Sequence, residues 1–286
     1  MISTESRKAI RASERLSDKE NPLSINVTIW NEYLHEKEER IAKVYPRGIH
    51  GALEEGLSAD KNLAIRTALL EMPGHGLSEE ILRNTDVLMW WGHLAHDRVS
   101  DETAELVAKH VRLGMGLVVL HSGHYSKPFR KLMGTACTLS WREIGESERV
   151  WIIDPSHPIC QGLGPYFELE HEEMYGEVFD IPAPDELVMI GWFKGGEVFR
   201  SGCVFKRGRG KIFYFQPGHE EFPTFRKPEV LRILKNALYY LRPLSRREDS
   251  GMAFASPCVD PVEPGILELY NITEKPSEKF KRAMER

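Results

Sequence analysis

Between residues 25 and 133 the chain keeps changing its hydrophobic period. Short runs rich in branched and aromatic residues (25–30, 63–70, 86–91, 116–121) alternate with helical patterns near 36–57, 78–84, 101–114 and 124–133. Such alternation is the mark of right-handed βαβ units, so this half of the chain predicts a parallel sheet covered by helices. Ser100 followed by Asp101 and Glu102 predicts a helix start there, with a capping hydroxyl and carboxylates near the positive end of the helix dipole. After residue 137 the runs 139–143, 149–153, 167–173, 187–193, 198–206 and 211–216 follow one another with few helices between, which predicts an antiparallel extension. Lys206 to Gly210 reads as a hairpin turn in that extension. Val230, Leu231, Leu234, Leu238 and Leu241 form one stripe of a helix over 228–241, suited to packing on a sheet. The expected organisation is a polar arm over 1–24, one α/β domain over 25–243 with a mostly parallel sheet, and a Pro-punctuated tail over 244–286. The tails are expected to pack outside the domain or to reach a partner subunit in a homo-oligomer.

Charge and hydropathy narrow the partners. With 38 Lys and Arg against 43 Asp and Glu, the net charge is -5, so no basic field attracts nucleic acid or an anionic membrane. The longest apolar runs, 87–91 and 237–241, fall well short of the roughly 20 residues that span a bilayer. The charged first 24 residues lack the apolar stretch of a secretory signal, which makes the cytoplasm the expected location. Cys137, Cys160, Cys203 and Cys258 are widely spaced, as reduced thiols are, and not arranged as a structural zinc site.

The histidines carry the functional signal. His35 follows the first strand, His93 and His96 the third, His121 and His124 the fourth, and His219 the aromatic run 213–215. Open α/β sheets bind ligands beyond the carboxyl ends of their strands, so these six are expected on one rim. His50, His75, His110 and His157 have no such placement and read as structural. In the segment 167–177, an extended strand would put Glu168, Glu170 and Glu172 on one face about 7 Å apart, with His171 and Glu173 on the other. Trp30, Trp90, Trp91, Tyr125, Tyr175 and Phe222 lie where aromatic rings could stack on a sugar.

Several motifs occur in order: Trp30-Asn31-Glu32 with His35-Glu36; Trp90-Trp91-Gly92-His93-Leu94-Ala95-His96-Asp97; Leu120-His121-Ser122-Gly123-His124; Glu170-His171-Glu172-Glu173-Met174-Tyr175-Gly176; and Phe215-Gln216-Pro217-Gly218-His219-Glu220. Over about 25–243 they resemble the ThuA family of bacterial trehalose-utilisation proteins. The resemblance implies a flavodoxin-like three-layer α/β sandwich related to class I glutamine amidotransferases. It also implies a setting in sugar operons that encode an oxidoreductase making 3-keto-disaccharides, so a substrate such as 3-ketotrehalose is expected.

Measured against the amidotransferase elbow G-x-C-x-G-H, Gly123-His124 supplies the final pair and His121 stands where the nucleophilic cysteine would be, while Gln216 replaces the partner histidine. Glutamine hydrolysis through a thioester is not expected without that thiolate, and Ser122 lies one position late to replace it. Imidazoles beside carboxylates suit proton transfer next to a carbonyl, as in isomerisation, epimerisation or elimination and hydrolysis of a keto-sugar. The expected catalytic residues are His121, His124, Glu172 and His219, with His121 held neutral by the following helix end. Trp30, His35, Trp91, Tyr125, Glu170 and Tyr175 are expected to bind the sugar. A divalent metal such as zinc, held by His93, His96 and Asp97 with help from His121 and His219, is a second route. A non-catalytic sugar-binding or regulatory module on the same fold is a third.

Overall fold

The computed structural model describes residues 24–244; the expected polar arm and tail lie outside the described residues. Nine strands, β1 (Ile25–Asn31), β2 (Leu63–Leu69), β3 (Val87–Trp91), β4 (Gly116–Leu120), β5 (Ser140–Ile152), β6 (Tyr166–Gly176), β7 (Glu186–Phe193), β8 (Val198–Arg207) and β9 (Gly210–Phe215), form one sheet in the order β2-β1-β3-β4-β9-β8-β7-β5-β6. β2, β1, β3, β4 and β9 run parallel, and β8, β7, β5 and β6 continue antiparallel. The antiparallel part is thus as large as the parallel part and not a minor extension. Every residue of β3 and β4 is buried, as parallel strands covered on both faces must be.

Helices cover both faces of the parallel part. On one side α2 (Gly48–Leu57) and α6 (Pro228–Leu241) bury Leu53, Leu57, Val230, Leu234 and Leu238 against Val27 and Ile29 of β1. On the other, α3 (Glu79–Arg83), α4 (Asp101–Leu113) and α5 (Lys127–Met133) bury Leu82, Val107, Val111 and Phe129 against Leu88, Val119 and Tyr214. Ser100 does cap α4, accepting from the Thr103 amide at 3.1 Å. No helix among the described residues is long and apolar enough to cross a membrane.

The structure departs from the pattern reading at three places, two of them next to strand ends and one inside a strand. The single helix expected over 36–57 is a 3-10 turn (His35–Lys37), α1 (Glu39–Val44) and then α2. The break falls at Tyr45, the residue before Pro46, where a following proline disfavours helical dihedrals. The strand expected to end at His121 stops at Leu120; a 3-10 turn (His121–Tyr125) intervenes before α5. The runs 139–143 and 149–153 are one strand, β5, whose pairing with β6 slips between Arg142 and Glu146 and again between Glu146 and Glu148.

The hairpin turn between β8 and β9 is Gly208-Arg209, with Arg207 paired to Gly210. Gly208 has φ 62°, and a Cβ there would lie 2.5 Å from the Arg112 carbonyl oxygen and 2.9 Å from its Cα. Gly208→Ala is expected to cost about 1–3 kcal/mol through overpacking and left-handed backbone, read as a lower urea midpoint at unchanged slope.

Candidate functional site

Four strand ends and one arching hairpin build the site. After β1, the Glu32 carboxylate accepts the amides of His93, Leu94 and Ala95 at 2.9, 2.9 and 2.8 Å and so fixes the loop after β3 that carries His93. The Trp91 indole N–H donates to the Gly218 carbonyl at 3.0 Å, tying that loop to the one after β9. After β4, His121 sits in the left-handed region at φ 49°, fully buried, a conformation that non-glycine residues keep only where the surroundings enforce it.

The slip in β5 and β6 decides which carboxylates face inward. Phe167 and Leu169 are buried and Glu168 and Glu170 exposed; His171 is also exposed, and from Glu172 onward the whole strand is buried. A one-residue slip moves every later side chain to the opposite face. Glu173, not Glu172, therefore reaches His121, with its Oε2 2.9 Å from Nε2. Glu172 is buried behind it and accepts the amides of Gly218 and His219, both at 3.0 Å, and the Thr224 hydroxyl at 2.9 Å. It positions His219 and has no route to a substrate. Glu170 is almost wholly exposed, and it too lies apart from the site.

Four imidazoles meet here. The His35 and His93 rings are 4.9 Å apart, His93 and His121 6.3 Å, His93 and His219 6.2 Å, and His121 and His219 5.5 Å. His35 Nδ1 contacts Glu220 Oε1 at 2.8 Å. His96 and His124 stand beside this group, flanking Tyr125, and His124 also meets Tyr175. A cavity of about 320 Å³ opens beside them, lined by His93, His96, Ser122, His124, Tyr125, Glu173 and Tyr175 among others; His35, His121 and His219 do not line it. Of the expected sugar-binding aromatics, Trp30 is buried and stacked on Trp90 at 3.8 Å, and Trp91 is buried in its bond to Gly218, so neither ring presents a face to the cavity.

The electrostatics divide the imidazoles. Both partners of His121 are acceptors: Nδ1–H donates to the Gln216 carbonyl at 2.8 Å, and Nε2 faces Glu173. Burial pulls the His121 pKa down, but the Glu173 bond and charge outweigh it and hold the ring protonated, up to about 9. The expected neutral His121 is therefore corrected: the helix after it starts only at Lys127, and a carboxylate stands closer. Glu173 is buried too, yet the positive His121 keeps its carboxyl below the ordinary range. Burial lowers His35 as well, but its bond to Glu220 and the surrounding carboxylates outweigh that and raise it; burial dominates in the rest, lowering His93, taking His96 and His219 down to about 4 and His124 to about 3. Cys137, Cys160 and Cys203 are buried thiols pushed up to about 11, 12 and 12, hence poor nucleophiles; Cys258 lies outside the described residues.

Ligand atoms close enough to share a cation belong to other sets than His93, His96 and Asp97. Among the described residues they are His35, His93 and Glu220; His121, Glu173 and His219; and Glu143, His219 and Glu221, each within 4.8 Å. Asp97 is exposed on a 3-10 turn, and the His96 ring turns to Tyr125. Glu173, Glu220 and Glu32 are the site residues that sequence reasoning missed. Glu220 had a signal, adjacency to His219; the inward turn of Glu173 depends on a bulge that the alternation pattern does not encode. His50, His75 and His157 make structural hydrogen bonds to Asn31, Leu70 and Glu186.

His121→Ala removes the proton donor from a buried carboxylate. We expect a loss of about 3–5 kcal/mol in chemical unfolding, far more than a loop imidazole would contribute. Because the folded-state pKa of His121 is raised above the ordinary 6.5, its stabilisation is complete below that pH and disappears as pH rises through about 9; the wild-type advantage over the variant should shrink over that window.

Comparison with known proteins agrees with this architecture. A ThuA-like protein from Bacteroides uniformis is 14% identical, aligns over 76% of this chain and 91% of its own, and has a TM-score of 0.55. One from Parabacteroides merdae is 12% identical over 78% and 93%, with a TM-score of 0.58. A protein from Salmonella typhimurium described as cytoplasmic is 12% identical over 77% and 99%, with a TM-score of 0.54. No curated protein matches the sequence. The ThuA family, described as trehalose utilisation, matches residues 26–241, and the chain belongs to that family.

Proposed function

We propose that this protein is a cytoplasmic enzyme of sugar catabolism that enolises an oxidised disaccharide such as 3-ketotrehalose. The observation that carries the reading is the separation of charge states at one cavity: His93, held neutral by burial, lines it with Glu173 and Tyr175, and a protonated His121 is buried directly behind those two. Groups whose environments push their pKa values apart are the acid and the base of a site. His93 takes the proton from the carbon next to the keto group, and the electron pair of that C–H bond becomes the enolate. The Tyr175 hydroxyl lines the cavity 3.3 Å from His121 Nε2 and donates to the developing oxyanion, with the His121 charge behind it. His124 donates Nδ1–H to the Cys137 carbonyl at 2.8 Å, leaving Nε2 to accept a sugar hydroxyl. Collapse of the enolate gives isomerisation or epimerisation by reprotonation, or elimination by expelling the glycosidic oxygen, which then takes up a proton.

The left-handed His121 at the end of β4 supports a relationship to the flavodoxin-like amidotransferase elbow, now carrying an imidazole in place of a thiol. The family's description supports the substrate class.

A second reading is favoured by one observation. His93 Nδ1 and Glu220 Oε2 are buried without a hydrogen-bond partner, and with His35 they form one of the candidate ligand sets. That donor set fits zinc or a similar divalent ion, which would polarise a carbonyl.

Incubation with 3-ketotrehalose in deuterium oxide, followed by NMR, tests both. Enolisation predicts deuterium at the carbon next to the ketone; binding without exchange would make the protein a sugar-binding or regulatory module. His93→Gln should lower turnover by about 10²–10⁴-fold. Activity should decline as pH rises through about 9, where His121 loses its proton. Loss of turnover on chelation, with metal found by elemental analysis, would select the metal route.

A further inference from the structure

We infer that the site has a second, aromatic subsite for the non-reacting ring of a disaccharide, built on Trp141 and Tyr125 of the same cavity lining; the inference rests on the sugar reading above. Trp141 is directly paired with Tyr175 across β5 and β6, and directly opposed residues of antiparallel strands point to the same face. Tyr175 lines the cavity, so Trp141 stands over the same cavity. Leu139 and Glu143, two residues to either side, line it as well, as the period of a strand requires.

The Trp141 side chain is 64% exposed and makes no ring stacking or cation contact among the described residues. Tyr125 is 40% exposed, with the Arg130 guanidinium 4.6 Å from its ring centroid. Two large rings left open to solvent at one cavity mouth are available to the C–H face of a sugar. Glu143 is half-exposed in the same lining, 3.7 Å from His219 Nε2, where a carboxylate can accept two sugar hydroxyls.

Size gives the division of labour. The cavity, at about 320 Å³, is at the lower end of ligand sites, so we place one ring over the lining imidazoles and the other against the exposed aromatic rings. The rings first expected to stack on sugar, Trp30 and Trp91, are core; Trp141 takes that task.

The test compares 3-ketotrehalose with 3-ketoglucose as substrates of the full chain. Trp141→Ala should raise KM for the disaccharide about tenfold with little change in kcat, leave the ratio of the two KM values near one, and be rescued largely by Trp141→Phe. Equal effects on both substrates, an effect on kcat alone, or none would overturn the subsite. If the wild type turns over neither compound, the enolisation reading fails, and calorimetric titration with unoxidised trehalose decides the subsite separately. Trehalose binding that Trp141→Ala abolishes supports it; no binding, or binding the variant retains, overturns it.

Discussion

The buried pair between His121 and Glu173 joins two parts of the sheet that its strand order keeps apart. β6 is the edge strand, five places from β4, yet its Glu173 lies 2.9 Å from the His121 ring at the end of β4. This contact is available because β5 pairs with β7 only over Glu148 to Ile152, so the other ends of β5 and β6 continue past the ladder as a two-stranded ribbon. That ribbon arches over the carboxyl ends of the parallel strands; Arg142 and Glu146 tie it to Glu197 and Gly195 of the β7–β8 turn, and three ties reach the strand ends. Glu173 holds β4, Glu172 holds the loop after β9, and the Gln216 side-chain amide donates to the Glu173 carbonyl at 3.2 Å. Without the arch there would be a row of histidines at strand ends, open on one side and lacking their carboxylate.

The same arrangement explains why the imidazoles differ. Burial alone would discharge all of them, since an ion in a poor dielectric loses its hydration. His121 has a carboxylate on one nitrogen and a carbonyl on the other, and is held protonated up to about 9; His35, facing Glu220, is also raised above its ordinary value. His93 and His219 face the charge of His121 as well as burial and are pushed further toward neutrality. One ion pair thus biases the protonation of its neighbours, and the difference in charge state among the imidazoles follows from geometry instead of from residue type.

Much of this was legible in the sequence. The alternation of periods over 25–133 is a local property and identifies the parallel strands and their helices. The histidines were placed by their position after those strands, since a strand that ends at residue 91 or 120 leaves the next residues on the rim whatever their rotamers. The carboxylates were not legible in the same way. Glu170, Glu172 and Glu173 are neighbours, and which of them faces inward turns on a slip in pairing with a strand 20 to 30 residues earlier, a non-local event. The aromatic residues failed for a related reason: Trp30 and Trp91 end strands that are covered on both faces, whereas Trp141 lies on the arch, where one face stays open. Propensity cannot separate those two surroundings.

His35, His93, His121, Glu173 and Glu220 are drawn from five separate stretches of one chain, and no contiguous fragment short of nearly the whole domain holds them all. The parts cannot be divided among shorter pieces, nor can the arch be trimmed without exposing an unpaired imidazolium. Loss of the site and loss of the fold should accordingly be a single event. A partly unfolded chain would then lack the imidazole and carboxylate cluster altogether, not hold a loosened version of it.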